Sequence, residues 1–128
     1  MKLLLDTHIL IWAMSAPEKL GDQVRSAIED SSNDVLVSIA SLWEVAIKQR
    51  LGKLEVDLSG MLAAIRLVEF RLLGIAAEHL LALVDLPMHH RNPFDRLLIA
   101  QAMAEDATFI SGDRVISRYP VRLLRFSD

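Results

Sequence analysis

Cysteine is absent from the 128 residues, and with it go disulfide frameworks, thiolate zinc sites and thiol nucleophiles. Any metal held by this chain must sit on oxygen or imidazole. Aromatic residues are sparse at 5%, and there is no basic excess: 17 acids face 14 bases, for a formal charge of −3. That balance argues against a simple nucleic-acid binder, which usually carries a strongly basic face. Long apolar runs are missing too, because Asp6, Glu44 and Asp85 interrupt the hydrophobic segments well short of the eighteen or so residues of a membrane span. The segment MKLLLDTHILIWAMSA resembles a signal peptide in outline, but Asp6 and His8 inside its apolar stretch read against secretion. No repeat, low-complexity tract or linker is found.

What the chain has is apolar content, 52% of its residues, enough for residues 1–128 to form one domain around a real core. Short apolar runs alternate with longer helical stretches, the pattern of βα units around a mostly parallel sheet. Strands are expected at Lys2 to Asp6, Asp34 to Ser38, Arg71 to Ile75, Thr108 to Ser111 and Val121 to Phe126. Helices are expected at Thr7 to Met14, Pro17 to Ser31, Ile39 to Gly52, Leu58 to Phe70, Ala77 to Leu83 and Pro93 to Glu105. The fold class is therefore α/β, a three-layer αβα sandwich. Trp12 and Trp43 fall on apolar helical faces and read as core rather than as base-stacking surfaces.

Four acids occupy one kind of place. Asp6 ends the first strand, Glu44 lies early in the helix after the second, Asp95 is in the first turn of its helix, and Asp113 follows the TFIS strand by two residues. In an open α/β sheet the ligand crevice lies outside the carboxyl ends of the strands, so these four carboxylates can meet. Each also has a local explanation. Asp6, Asp95 and Asp113 suit helix caps and first turns, while Glu44 completes a capping box with Ser41 or pairs with Lys48. Convergence of four carboxylates requires a proton or a cation between them, and an oxygen-only set suits magnesium (Mg2+) or manganese (Mn2+). Such an ion activates water and stabilises charge on phosphate oxygens, so phosphodiester hydrolysis is the natural reaction. Thr7 and Ser111 stand beside Asp6 and Asp113 as residues that orient a carboxylate or water. His8, His89 and His90 lack paired metal-ligand spacing on a helix and are left outside the site.

LLLDTHILIW, SIASLWEVAIKQRLGKL, HHRNPFDRLLIAQA and TFISGDRVISRYPVRLLRF together resemble PIN-domain proteins, specifically the VapC-type toxins of toxin–antitoxin pairs. The family's acids fall on Asp6, Glu44, Asp95 and Asp113 here, and its Ser or Thr position on Ser111. The resemblance implies a PIN-like fold and a Mg2+- or Mn2+-dependent endoribonuclease that cleaves RNA in the cytoplasm. It also implies a homodimer and a VapB-type antitoxin that threads a segment, often with an Arg, across the acidic pocket. Many relatives carry an acid where this chain has Asn92, which caps a helix equally well.

Two other classes compete. A receiver or phosphatase-like phosphoryl-transfer domain also keeps an Asp at a strand end. The phosphatase pattern wants a second Asp where this chain has His8, and a receiver wants a late Lys, whereas the last Lys is Lys53. A non-catalytic module whose acidic rim binds a partner's arginine is the third reading. The charge objection softens once the four acids are set apart, since the rest of the chain is then about +1. Arg114, Arg118, Arg122 and Arg125 offer cations along the last stretch.

Overall fold

Apolar residues alternate between two faces along each of the first two strands, and that alternation organises the molecule. The computed structural model describes residues 1–54 and 56–125. Its strands are β1 (Lys2–Leu5), β2 (Asp34–Ser38), β3 (Arg71–Leu73), β4 (Thr108–Ser111) and β5 (Leu123–Arg125). All pair in parallel, in the order β3-β2-β1-β4-β5. Register sets Leu4 between Leu36 and Phe109. Leu3, Leu5, Val35, Val37 and Ile110 join one buried cluster, while Leu4, Leu36 and Phe109 join another. Parallel strands covered on both faces read as continuous apolar runs, as these do.

The helices are α1 (Thr7–Ser15), α2 (Asp22–Glu29), α3 (Ile39–Arg50), α4 (Leu58–Leu67), α5 (Ala77–Val84) and α6 (Pro93–Ala104). Ile9 and Leu10 of α1, Val24 of α2, and Met61 and Ile65 of α4 cover the first face. Leu97, Leu98, Ile99 and Ala102 of α6 cover the second. Helix α3 serves both, sending Leu42 and Val45 to one cluster and Ala40 to the other. The result is the α/β sandwich expected, with a sheet that is wholly parallel among the described residues. None of the helices in the described residues is long and apolar enough to cross a membrane.

Several expected boundaries moved, among them the end of β3, at Leu73 rather than Ile75. The single helix from Pro17 to Ser31 is a 3-10 turn at Pro17–Leu20 followed by α2, broken at Gly21. The φ of Gly21 is +77°, a conformation that carries no steric cost only without a Cβ. The helix expected to reach Phe70 stops at Leu67, with Glu69 at φ +63° and the Phe70 N–H bonded to the Ile65 carbonyl at 3.2 Å, a closed C-terminal turn. The last strand begins at Leu123 rather than Val121. Its expected end at Phe126, and the side chain of Arg125, lie outside the described residues.

Candidate active site

Strands β1 and β4 are neighbours, and the connections leave them in opposite directions across the sheet. A crevice opens at such a switch point, beyond the carboxyl ends of the strands. Asp6 follows β1 directly. Its backbone N–H still bonds the Ile110 carbonyl of β4 at 3.0 Å, and its side chain accepts from the Ile9 N–H at 2.8 Å, capping α1. Asp113 follows β4 by two residues. Its N–H donates to the Ser111 hydroxyl at 3.1 Å, and its carboxylate accepts from the Val115 N–H at 3.0 Å, capping the 3-10 turn Arg114–Arg118.

Asp95 arrives from α6, whose start is fixed by Pro93 and by Asn92, the side chain of which accepts from the Phe94 and Asp95 N–H groups at 2.9 and 3.4 Å. Glu44 comes from the second turn of α3. The proposed capping box with Ser41 is not formed, because β2 runs into α3 without a loop and Ser38 is the cap, accepting from the Ala40 N–H at 3.0 Å. Ser41 instead is buried and meets the Thr7 hydroxyl at 3.1 Å. The other local expectation holds, with Lys48 Nζ 3.1 Å from Glu44 Oε2.

All four acids line a single cleft of about 710 Å³, together with Thr7, Asn92 and Lys48; Ser111 is buried and hydrogen-bonds Asp6. Local capping and convergence are both real here, and the caps hold the carboxylates in place. The electrostatics are unrelieved. Burial pushes the Asp6 carboxyl up, the Ser111 hydroxyl, the Ile9 N–H and His8 pull it down, and Glu44 pushes it up again. Asp95 is pushed up to about 6, first by burial and then by Asp6, Glu44 and Asp113, against an opposing pull from His90. Glu44 Oε1 is buried with no hydrogen-bond partner. An unsatisfied buried oxygen of this kind costs folding free energy on the order of 1–3 kcal/mol.

His90, set aside on spacing, stands inside the cluster. Its Nε2 lies 2.7 Å from Asp113 Oδ2 and 3.2 Å from Asp95 Oδ2. The loop that carries it is held by Tyr119, whose hydroxyl accepts from the His89 and His90 N–H groups at 3.0 and 2.8 Å. The three side chains present donor atoms within 4.8 Å of one another, close enough for a metal ion. The hydrogen bonds qualify that set. His90 Nδ1 accepts from the Asn92 backbone N–H at 3.0 Å, so the ring proton resides on Nε2 and points at the two carboxylates. In this tautomer His90 bridges the acids as a donor and offers no lone pair to a cation there.

The sequence profile of the PIN domain family matches residues 3–121. The chain belongs to the PIN domain family. No curated protein matches it by sequence. Among solved structures, it is similar to VapBC2 from Rickettsia felis bound to a DNA fragment from their promoter. That match has a TM-score of 0.71 and 19% identity, covering 99% of this chain and 100% of that one. It is similar also to DNA-bound VapBC from Salmonella typhimurium, with TM-score 0.71, 13% identity and 99% of each chain covered. VapBC-1 from nontypeable Haemophilus influenzae gives a TM-score of 0.67 at 15% identity over the full length of both chains.

This PIN domain's strand order also differs from the 2-1-3-4-5 order of receiver domains, one of the phosphoryl-transfer alternatives. Trp43, His8 and Arg122 sit where the sequence did not put them. Trp43 is 57% exposed, packed edge-on against Phe94 with ring centroids 5.0 Å apart. Trp12 packs partly against the core but also lines the cleft, as does His8. Arg122 pairs with Asp106 at 2.7 Å, at the amino end of β4 and so away from the acids. Arg114 and Arg118 are exposed on the turn that Asp113 caps.

Proposed function

We propose that this PIN domain, acting as one unit over residues 1–128, is a metal-dependent endoribonuclease of the VapC toxin type. It cleaves RNA phosphodiester bonds in the cytoplasm and is restrained by a VapB-type antitoxin. The observation that carries the reading is the buried Glu44 Oε1 without a partner, in a cleft with three further carboxylates. An oxygen-rich cluster that leaves one buried oxygen without a partner fits a hard divalent ion, Mg2+ or Mn2+. Asp6, Asp95 and Asp113 would hold it, and Glu44 completes the shell or positions the attacking water. When bound, the ion supplies charge neutralisation and stabilises charge developing on phosphate oxygens.

The protein's own groups do the rest. The Ile9 and Val115 N–H groups fix the orientation of Asp6 and Asp113, so the pocket is shaped before substrate arrives. Ser111 steadies Asp6 and Asp113 together, while Thr7 acts at one remove through Ser41. Lys48 shields Glu44 at the mouth of the cleft. His90 keeps Asp95 and Asp113 together. An antitoxin arginine suits the same position, because a guanidinium donates to two carboxylates at once.

Chelation tests the reading. Cleavage of RNA is expected to vanish in EDTA and to return with Mg2+ or Mn2+. Failure to cut any of a panel of RNAs with either ion, alongside retained binding of an arginine-bearing antitoxin peptide, would show the acidic rim to be a binding module only.

The partner chemistry extends to a second copy of the chain. Ile39, Trp43 and Ile47 of α3 and Leu51, the residue that caps it, recur at every fourth position and are 40%, 57%, 38% and 61% exposed. That is an apolar stripe turned away from the core, and such stripes mark interfaces. We assign it to a homodimer. Trp43→Glu is expected to convert the dimer to a monomer in light scattering, and an unchanged mass, or a wild-type protein that is monomeric at micromolar concentration, refutes the assignment.

A further inference from the structure

The carboxylates occupy only part of the cleft. Its other wall is built by α1 and by Leu54, and presents His8, Ile11 and Trp12. A site for a bare phosphate has no use for such a wall, which calls for N–H donors and cations instead. His8 and Trp12 are one helical step of four residues apart, and their rings meet at 4.3 Å between centroids with planes tilted by 55°. His8 is exposed, and Trp12 is half-buried against the core. Because α1 begins immediately after Asp6, Trp12 stands roughly 9 Å along the helix axis from it at 1.5 Å per residue. A group attached to a phosphate held by the acids reaches that wall.

Resting on the ribonuclease reading above, we propose that His8 and Trp12 form a stacking platform for the nucleobase next to the scissile phosphodiester. A base is the part of an RNA strand that offers a flat π-face to such rings, and stacking accepts any base without hydrogen-bond readout. Lys48 at the mouth of the cleft supplies the cation that single-strand grooves combine with aromatic platforms. The platform therefore holds the strand in register over the acids, and residue choice at His8 and Trp12 sets how strongly the flanking base contributes.

Abasic scanning tests this. A single-stranded RNA that the protein cuts is made with one abasic nucleotide at each position around the cleaved bond, and kcat/KM is measured with Mg2+ or Mn2+. For the wild type, the abasic residue at one flanking position is expected to cost about 5- to 150-fold, the range for loss of a stacked base. His8→Ala and Trp12→Leu are expected to lose a similar factor on the intact RNA and to show no further loss with the abasic one. His8 is exposed, so its variant keeps the test valid if Trp12→Leu disturbs packing. Equal abasic losses in wild type and variants overturn the platform while leaving the nuclease reading intact. Wild-type cleavage by both variants with lost antitoxin-peptide binding assigns the wall to a peptide and likewise overturns it. Absence of cleavage on every RNA overturns the nuclease reading first, and the platform with it.

Discussion

Asp6→Asn is expected to lower metal-dependent RNA cleavage by at least two to three orders of magnitude, about 3–4 kcal/mol of transition-state stabilisation, and to make the metal-free protein no less stable than the wild type. Both outcomes follow from one fact. Asp6 is 8% exposed, and burial pushes its carboxyl up, so its ionised form carries a cost to folding. That cost is accepted only if the charge is used. Asparagine keeps the oxygen that accepts from the Ile9 N–H at 2.8 Å and is as good an N-cap as aspartate. It brings no charge to face Glu44. Purified variant and wild type, compared in RNA cleavage with Mg2+ or Mn2+ and in urea unfolding with chelator at pH 7.5, give the two readouts. Cleavage at the wild-type rate removes Asp6 from the site. A variant less stable by more than about 1 kcal/mol would mean that Asp6 is a structural cap first.

Much of this was legible before the fold was seen, and the exceptions have physical causes. DVLVS and TFIS became strands with the expected bounds, because a short apolar run between polar punctuation has few other ways to be buried. The four acids line one cleft, as expected, because strand ends converge at a switch point whatever the side-chain detail. His90 was missed because its partners are five and twenty-three positions away, and long-range contacts such as the Tyr119 hydroxyl bonded to two successive N–H groups bring the loop over the acids. Trp43 was misplaced because α3 is apolar on two sides. Periodicity shows that stripes exist, but the packing partner decides which one faces inward, and Ala40, Leu42 and Val45 took the core. The break at Gly21 lost to the four-residue spacing of Leu20, Val24 and Ile28, which continues in phase across the 3-10 turn.

The metal-free protein is expected to lose stability as pH rises from about 4 to about 6, the reverse of the usual behaviour of a paired carboxylate. Asp95 has an ordinary value of 3.8 and a folded value of about 6. Below pH 4 both states are protonated and Asp95 costs nothing. Between these values the unfolded chain has released the proton and the folded chain still holds it, so each unit of pH favours unfolding. Above about 6 the loss is complete, at about 3 kcal/mol for a shift of roughly two units. Asp6, raised in the same direction, adds to the trend. A cation that binds the folded cluster reverses it, since it stabilises the ionised carboxylates and binds the native state alone. Urea unfolding of protein freed of metal on chelating resin, at pH 4.5 and 7.5, is expected to show the loss in the wild type. Asp95→Asn should show a shallower one, because one of the two groups that titrate against the fold has been removed. Adding Mg2+ or Mn2+ at pH 7.5 should restore the wild type and do less for Asp95→Asn. Identical pH slopes in the two proteins would mean that Asp95 is not the group under strain, and that the acids do not repel one another in the way their shared cleft requires.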